Sequence, residues 1–309
     1  MKLNSLLNTI AGDGPLPRQS ELVGLSALDL EEARLFERAA KQLDRERRIE
    51  LAQRLSELAE DQSELDLESA MVALARDDAS EVRRLAAASL WETVNADTVR
   101  LVLELARSDR DLEVREAALI SLASHALSFE VGKLRATVVN ELKATLQSMV
   151  RDETATLIVR RRALEALGVF NEQPVRELIK WGFGHRDREV KISAVYAMGR
   201  SADDFWLPEV MQALSSTDMG VCFEAARAAG EIELGEAVPR LTQLAAQDDR
   251  EVATNAVFAL ASIATEEAVS AIRQLAASED EFLRDLGEEA LEALRTTHDP
   301  LDLAPEMDR

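Results

Sequence analysis

The feature that most constrains the fold is a hydrophobic position that recurs every 31 residues. Each occurrence has small residues four and seven places after it, and four of the five have an aspartate three places before it. Two of the phrases read D-R-E-V-K-I-S-A-V-Y-A and D-R-E-V-A-T-N-A-V-F-A. A fixed period of this length is typical of a solenoid, in which similar units stack and contact only their neighbours. The recurring positions are Val159, Val190, Val221, Val252 and Leu283.

The pattern continues towards the N-terminus with looser spacing, headed by Val114, Val82 and Ile49. The gaps from Ile49 are 33, 32 and 45 residues, followed by four gaps of 31. We therefore count eight repeats, with an insertion of about fourteen residues between the third and the fourth. Apolar residues at helical spacing in the insertion predict a longer helix over about 129–150 rather than a loop.

Each repeat is predicted to contain two helices. In the second helix, Val252, Ala256, Ala259 and Leu260 fall on one side at 3.6 residues per turn, and the first helix shows the same period. Three glycines spaced by 31 residues near the end of this second helix are interpreted as C-terminal caps: Gly168, Gly199 and Gly230. The sequence predicts an all-α fold, a right-handed α-solenoid of about eight helix-pair repeats with an N-terminal capping segment.

The domain organisation follows from where the pattern begins and ends. Residues 1–28 contain G-D-G-P-L-P and are predicted to form an N-terminal cap and loop. Residues 29–295 form the solenoid, and residues 296–309 are expected to be a flexible acidic tail in which Leu301 and Leu303 could form a short motif. The single cysteine, Cys222, excludes an internal disulfide and is interpreted as a surface or semi-buried thiol. With no apolar stretch of about 20 residues and no signal peptide, a cytoplasmic protein is expected.

The phrase D-x-x-V-R-x-x-A-x-x-A-L, preceded by an amphipathic helix, resembles the HEAT repeat family. The short period is similar to its compact bacterial branch, the PBS-lyase HEAT-like repeats. The resemblance covers about residues 29–295 and implies the fold. Members of the family include protein scaffolds, bilin-attachment factors, a di-iron hydroxylase and DNA-repair glycosylases, so the resemblance leaves the function open.

No catalytic, cofactor-binding or metal-binding residue is predicted. The hydroxylases of this fold bind iron through His-Glu dipeptides, but none of the three histidines here (His125, His185 and His298) is followed by glutamate. The common motifs for nucleotide binding, acyl transfer and zinc hydrolysis are absent. We therefore expect a non-enzymatic protein that needs no cofactor.

The charge disfavours nucleic acid as a partner. The net charge is −22, and residues 201–309 hold 7 basic and 24 acidic residues, whereas phosphate binding requires a basic surface. An acidic C-terminal third instead attracts basic partners, or it serves only solubility. A basic column directly after the recurring position (Arg83, Arg115, Arg160, Lys191 and Arg284) is predicted to pair with an acidic column between repeats (Asp111, Asp187, Asp218, Asp249 and Asp280).

A partner-binding surface is predicted on the second helices, which line the concave face of a curved solenoid. Two outward positions in three successive repeats carry apolar or aromatic residues and one arginine, namely Ile192 and Tyr196, Phe223 and Arg227, and Thr254 and Phe258. These residues either form a groove for a protein or peptide, which could be basic, or pack between adjacent second helices. The predicted function is a protein-interaction scaffold or adaptor. The alternatives are an enzyme-assisting role such as a bilin lyase or chaperone, and an assembly factor that binds through the inserted helix.

Overall fold

The structure is a computed structural model that describes residues 3–93, 95–124, 135–247 and 249–297. Throughout these ranges the regular elements are α-helices and short 3₁₀ turns, with no β-strand. The all-α prediction is therefore confirmed. The predicted tail beyond residue 297, together with Val131 and Leu134 of the predicted inserted helix, lies outside the described residues.

Residues 1–166 form one compact unit and residues 167–309 a second. The helices that begin in the first unit are α1 (Leu3–Ala11), α2 (Gln19–Leu22), α3 (Leu30–Ala40), α4 (Arg45–Asp61), α5 (Glu68–Leu74), α6 (Ser80–Ser89), α7 (Ala96–Ser108), α8 (Leu112–Ser124), α9 (Ala136–Arg151) and α10 (Leu157–Leu167). The helices of the second unit are α11 (Gln173–Phe183), α12 (Arg188–Arg200), α13 (Leu207–Leu214), α14 (Met219–Glu231), α15 (Val238–Ala245), α16 (Arg250–Ile263), α17 (Glu266–Ala276) and α18 (Glu281–Thr297).

Aspartates fix where the second helices of the repeats begin. The Oδ1 atom of Asp218 accepts hydrogen bonds from the backbone N–H groups of Gly220 (2.9 Å) and Val221 (3.3 Å). Asp187 and Asp249 cap α12 and α16 in the same way. Each cap satisfies N–H groups that have no partner inside the helix, and each contributes about 1 kcal/mol. Four successive second helices, α12, α14, α16 and α18, therefore begin at aspartates spaced 31 residues apart.

The repeating apolar residues form the core of each helix pair. In α16, Val252, Ala256, Val257, Ala259 and Leu260 are all buried. Val257 occupies a place five residues after the recurring valine, and the equivalent residues of α12 and α14 are also buried. Burying a valine or leucine side chain contributes about 1.5–3 kcal/mol. The buried stripe is thus wider than the sequence pattern predicted, because each second helix packs both on its own first helix and on neighbouring second helices.

The first repeat differs in register from the sequence assignment. Ile49 is only half-buried, and Asp44 caps α4, so the position equivalent to the recurring valine is Arg47. The Arg47 guanidinium donates to the backbone carbonyls of Gly12 (2.7 Å) and Gly14 (2.6 Å). The assignment of Ile49 was therefore wrong, because this position faces a polar loop of the N-terminal segment instead of a preceding repeat.

The N-terminal segment and the inserted helix are helical where they are described. Leu6, Leu7 and Ile10 of α1 are buried, and α1 packs against α3. The inserted helix α9 buries four of its predicted apolar residues, which are Val138, Leu142, Leu146 and Met149. Its helical character over Ala136–Arg151 is therefore confirmed.

Candidate partner-binding surface

The five predicted binding residues, which we call the aromatic strip, lie on three consecutive second helices, α12, α14 and α16. Because the caps place these helices in the same register, the outward positions fall at equivalent points of each. The helices also pack directly on one another, α12 against α14 and α14 against α16. The structure therefore brings together the residues that the sequence analysis selected, namely Ile192, Tyr196, Phe223, Arg227 and Phe258.

Every residue of the aromatic strip keeps part of its surface accessible. Phe258 is 40% exposed. Ile192, Tyr196, Phe223 and Arg227 are half-buried. Partial burial fits contact with the neighbouring second helices, and the exposed remainder is what a partner could cover. The aromatic strip therefore stays a prediction of a binding surface.

Arg227 is held at the centre of the aromatic strip by its neighbours. Its guanidinium carbon lies 4.4 Å from the centroid of the Tyr196 ring, in a cation–π arrangement. The guanidinium also pairs with Glu224 and Glu231 on its own helix. Burial disfavours the charged form, but the two carboxylates outweigh it, so the pKa of Arg227 is raised. Arg227 therefore orients Tyr196 and does not present an uncompensated positive charge.

A side-chain amide also connects two helices of this surface, which the sequence analysis did not identify. Asn255 in α16 donates from Nδ2 to the backbone carbonyl of Phe223 in α14, at 2.9 Å. Asn255 lies three residues after the recurring Val252, on the flank of the buried stripe. No sequence signal distinguished it from a solvated asparagine, because the acceptor is a main-chain atom 32 residues away.

The predicted ladder between the basic and acidic columns is wrong. Most of the basic side chains donate to backbone carbonyls around the end of the first helix of their own pair: Arg115 to Ala106 (3.1 Å), Arg160 to Val150 (2.9 Å) and Arg284 to Ser278 (3.0 Å). Carbonyls at a helix C-terminus lack intrahelical partners and carry partial negative charge, which favours a cation there. The aspartates cap their own helices, as described above, and Asp218 also accepts a hydrogen bond at 2.7 Å from Arg188 of the preceding repeat, which is not in the predicted basic column.

Cys222 takes the place of the arginine in its repeat. Its Sγ lies 3.0 Å from the backbone carbonyl oxygen of Ser216, and the residue is fully buried. Arg240 from the next repeat donates to the carbonyl of Leu214 at 3.0 Å and so supplies the missing cation. Burial raises the pKa of the Cys222 thiol. The thiol is thus a core group, more deeply buried than the semi-buried position that the sequence suggested.

A second exposed aromatic lies on the first-helix side of the second unit. Phe205 is 36% exposed. The Arg176 guanidinium carbon and the Lys180 Nζ atom lie over its ring, at 4.1 and 4.7 Å from the ring centroid. Trp206 meets the same ring edge-on at 5.0 Å between centroids. Sequence reasoning missed this group because its members come from two different repeats.

Metal and membrane sites are not evident in the part of the chain that the structure describes. No group of three or more His, Cys, Asp or Glu side chains there could hold a metal ion. His185 accepts a hydrogen bond from the Asp187 N–H at 3.0 Å and stacks at a tilt on Trp181. His125 and His298 lie outside the described residues. None of the described helices is both long and apolar enough to cross a membrane.

Comparisons with known proteins agree with this architecture. The HEAT repeats family matches residues 175–255, which contain much of the aromatic strip. No curated protein sequence matches the chain. Among solved structures, the chain is similar to one from the complex of CpcE and CpcF of phycocyanin lyase from Nostoc sp. PCC7120, at 19% identity and a TM-score of 0.54, covering 89% of this chain and 97% of that one.

Two larger proteins share the same fold. Importin beta matches at 14% identity and a TM-score of 0.53, with 94% of this chain and 46% of that chain covered. A structure of Kap95p with RanGDP matches at 14% identity and a TM-score of 0.55, with 94% and 45% covered. These likenesses concern the fold. The family match shows HEAT repeats over residues 175–255, and the recurring capped helix pair has the same architecture.

Proposed function

We propose that this protein is a non-enzymatic interaction scaffold that binds a protein or peptide on the aromatic strip of its C-terminal half. The observation that carries the proposal is the exposure of Phe258 beside three half-buried apolar residues on consecutive second helices. Isolated exposed apolar residues are ordinary, but a contiguous strip rimmed by polar groups is typical of an interaction site. Aromatic anchors bury a large area for little loss of side-chain freedom.

The charge around the aromatic strip favours a partner with basic groups. Residues 201–309 carry 24 acidic against 7 basic residues, and Arg227 is already compensated by Glu224 and Glu231. A positively charged partner would therefore be attracted from a distance, and its binding would weaken as salt screens the attraction. Apolar contact with Phe258 and Phe223 would provide the part of the affinity that does not depend on salt.

The test compares capture by the wild type with capture by two folded variants, Phe258→Ala and the combined Tyr196→Ala, Phe223→Ala, Phe258→Ala change. A captured protein is then purified and its affinity is measured at low and high salt. We expect affinity to fall about tenfold or more for Phe258→Ala, since buried aromatic anchors contribute about 2 kcal/mol. Phe205→Ala is the matched control, because it removes an exposed aromatic from the first-helix side. Equal affinities of all variants would contradict the proposal.

A second candidate function is a bilin lyase or chaperone role, which is raised by the likeness to the phycocyanin lyase structure. Incubation with a free bilin followed by absorption spectroscopy tests it. A shift of the bilin absorption band on mixing would support this role, and an unchanged spectrum at saturating protein would exclude it. A third candidate, binding through the inserted helix α9, predicts that capture survives the combined change in the aromatic strip.

A further inference from the structure

A cavity of about 640 Å³ in the first unit is lined by three arginines from three different helices. Arg107 comes from the last turn of α7, Arg115 from α8 and Arg151 from the end of α9. Thr145 and Ser148, both on α9, line the same cavity and carry hydroxyl groups. The volume lies within the range of about 300–1,000 Å³ that is usual for small-molecule sites.

Among the described residues, no carboxylate forms an ion pair with the guanidinium groups around this cavity. Arg107 forms no hydrogen bond or ion pair with any described residue. Arg151 has a single long contact, 3.4 Å to Gln147 on its own helix. Arg115 uses Nε for the carbonyl of Ala106 at 3.1 Å, which holds the side chain in place and leaves its terminal N–H groups available. Elsewhere in this unit, arginines such as Arg83 are paired with carboxylates.

One carboxylate, that of Asp152, lines the cavity, and it accepts hydrogen bonds from the nearby Thr154. Its Oδ1 accepts hydrogen bonds from the backbone N–H of Thr154 (2.9 Å) and from the Thr154 hydroxyl (2.6 Å). Those bonds, and to a smaller extent the positive charge of Arg115, lower the pKa of Asp152, so it remains an anion that partly compensates Arg115. The lining therefore carries three positive charges against one negative charge, in a chain whose net charge is −22.

A smaller depression of about 240 Å³ adjoins the cavity along α7 and α9. It shares Arg107 and Thr145 with the cavity and adds Arg100, Glu104 and Glu141. Arg100 donates to Glu141 at 3.1 Å and compensates that carboxylate. The cavity and the depression together are lined by four arginines and three carboxylates, so one positive charge remains in excess.

We propose that this cavity binds a ligand bearing a phosphate monoester, held by Arg107, Arg115 and Arg151 with the hydroxyls of Thr145 and Ser148 as additional donors. A phosphate monoester has three terminal oxygens and close to two negative charges, which three guanidinium groups can contact in pairs of hydrogen bonds. Guanidinium is also the cation best suited to such bidentate contacts. An anion bound among the three arginines would compensate their positive charges. The phosphate can belong to a small metabolite or to a phosphorylated side chain.

Isothermal titration of the full chain at constant ionic strength tests this site, with inorganic phosphate as the first probe and malonate as a dicarboxylate comparison. Arg107→Gln and Arg151→Gln each remove one exposed guanidinium that has no carboxylate partner among the described residues, so folding should be unchanged. We expect each to weaken phosphate binding about tenfold, as the loss of a charge-assisted hydrogen bond does. Arg110→Gln is the matched control, since Arg110 is an exposed arginine nearby with the same charge but outside the cavity lining.

Saturable phosphate binding that is lost in the two cavity variants and kept by Arg110→Gln supports the site. Absence of saturable binding, equal loss in all three variants, or tighter binding of malonate contradicts it. Glycerol 3-phosphate and a phosphoserine tripeptide then distinguish the sources, since the tighter of the two identifies a metabolite or a phosphorylated side chain. If neither binds more tightly than inorganic phosphate, a phosphate monoester is not the ligand.

Discussion

Gly199 in α12 lies so close to Ala228 in α14 that a Cβ atom built on Gly199 would stand 2.8 Å from the Ala228 Cα. The same relationship recurs one repeat earlier and one repeat later, between Gly168 and Ala197 and between Gly230 and Ala259. Real Cβ atoms do not approach a backbone carbon this closely, so glycine is required here by the helix next to it. These glycines lie where helices meet; Gly199 and Gly230 are inside α12 and α14, so their interpretation as C-terminal caps was wrong, whereas Gly168 directly follows the end of α10.

Gly199→Ala should destabilise the protein by about 1–3 kcal/mol, because overpacking a close helix contact forces the helices apart. The added methyl would also meet the carboxylate of Glu231 at 2.6 Å. The free energy of unfolding from urea denaturation measures the effect. In the control Gly184→Ala, the nearest atom to the new Cβ would be 3.5 Å away, so little change is expected. Equal losses in both variants would show that helix contact is not the cause.

The residues that do adopt the left-handed cap conformation are not glycines. Ala202, Glu233 and Ala264 have φ values of 47°, 57° and 51°, each twelve residues after a recurring valine. This conformation costs an ordinary residue about 1 kcal/mol or more. Glu233→Gly should therefore raise the melting temperature and stabilise the protein by about 0.5–1 kcal/mol. The same change in the middle of α18, Glu289→Gly, should instead destabilise it by a similar amount; stabilisation at both sites would disprove the conformational explanation.

The ion pair between Arg83 and Asp109 should make stability depend on acid pH. Arg83 donates to the two carboxylate oxygens of Asp109, from Nε at 2.8 Å and from Nη2 at 2.9 Å. The Arg83 side chain is 16% exposed and that of Asp109 is 6% exposed. Burial disfavours the charged carboxylate, but hydrogen bonds from Arg83 and from the backbone outweigh it and lower the pKa of Asp109. Because the pKa of Asp109 is lower in the folded state than in the unfolded state, the stabilisation by this ion pair is fully present above the unfolded-state pKa. It is lost as the pH falls through the folded-state value, below about pH 4.

Asp109→Asn should therefore cost about 3 kcal/mol at neutral pH, because it leaves the Arg83 charge poorly compensated in a buried site. Urea denaturation between pH 7 and pH 3 measures this, and the difference between wild type and variant should shrink as the pH falls. In the control Asp97→Asn, the carboxylate that is removed belongs to an ion pair with Arg100. The Asp97 side chain is 92% exposed, so the change should have little effect on stability. A difference that stays constant with pH would mean that Asp109 acts through packing alone.

The buried thiol of Cys222 should be unreactive in the folded protein. Burial raises its pKa, so almost no thiolate exists at pH 7, and the side chain is closed off from solvent. We expect labelling by a thiol reagent to be slower than that of a free thiol by a factor of about a hundred or more, the opening of the fold being the limiting step. The chain has one cysteine, so labelling has a single origin, and the same reaction in guanidinium chloride provides the reference rate. Native labelling as fast as the reference would contradict the buried position.

Much of the repeat architecture could be predicted from local patterns. The aspartate that caps most second helices, the apolar residue three positions later and the small residues after it all act within one helix or one helix pair. Their order in the chain therefore reports directly on their role. The same holds for α9, whose apolar spacing predicted a helix that the structure confirms over Ala136–Arg151.

Contacts across repeats decided what the sequence could not. The basic column bonds to backbone carbonyls, Asn255 bonds to the backbone of Phe223, and Arg240 substitutes for the arginine that Cys222 replaces. Main-chain acceptors leave no trace in a side-chain pattern, so these partners were invisible until the helices were placed. For the same reason the cavity between Arg107, Arg115 and Arg151 could not be recognised, as its members are spread over 45 positions of the chain.

The sequence by itself determined the helix pairs, their period and the residues that face the core, because each depends on interactions over a few residues. Only the tertiary structure decided how much of Tyr196 and Phe258 remains accessible, why Gly199 must be glycine and which arginines lack a carboxylate partner. Those properties depend on the distance and orientation of neighbouring helices, which packing sets.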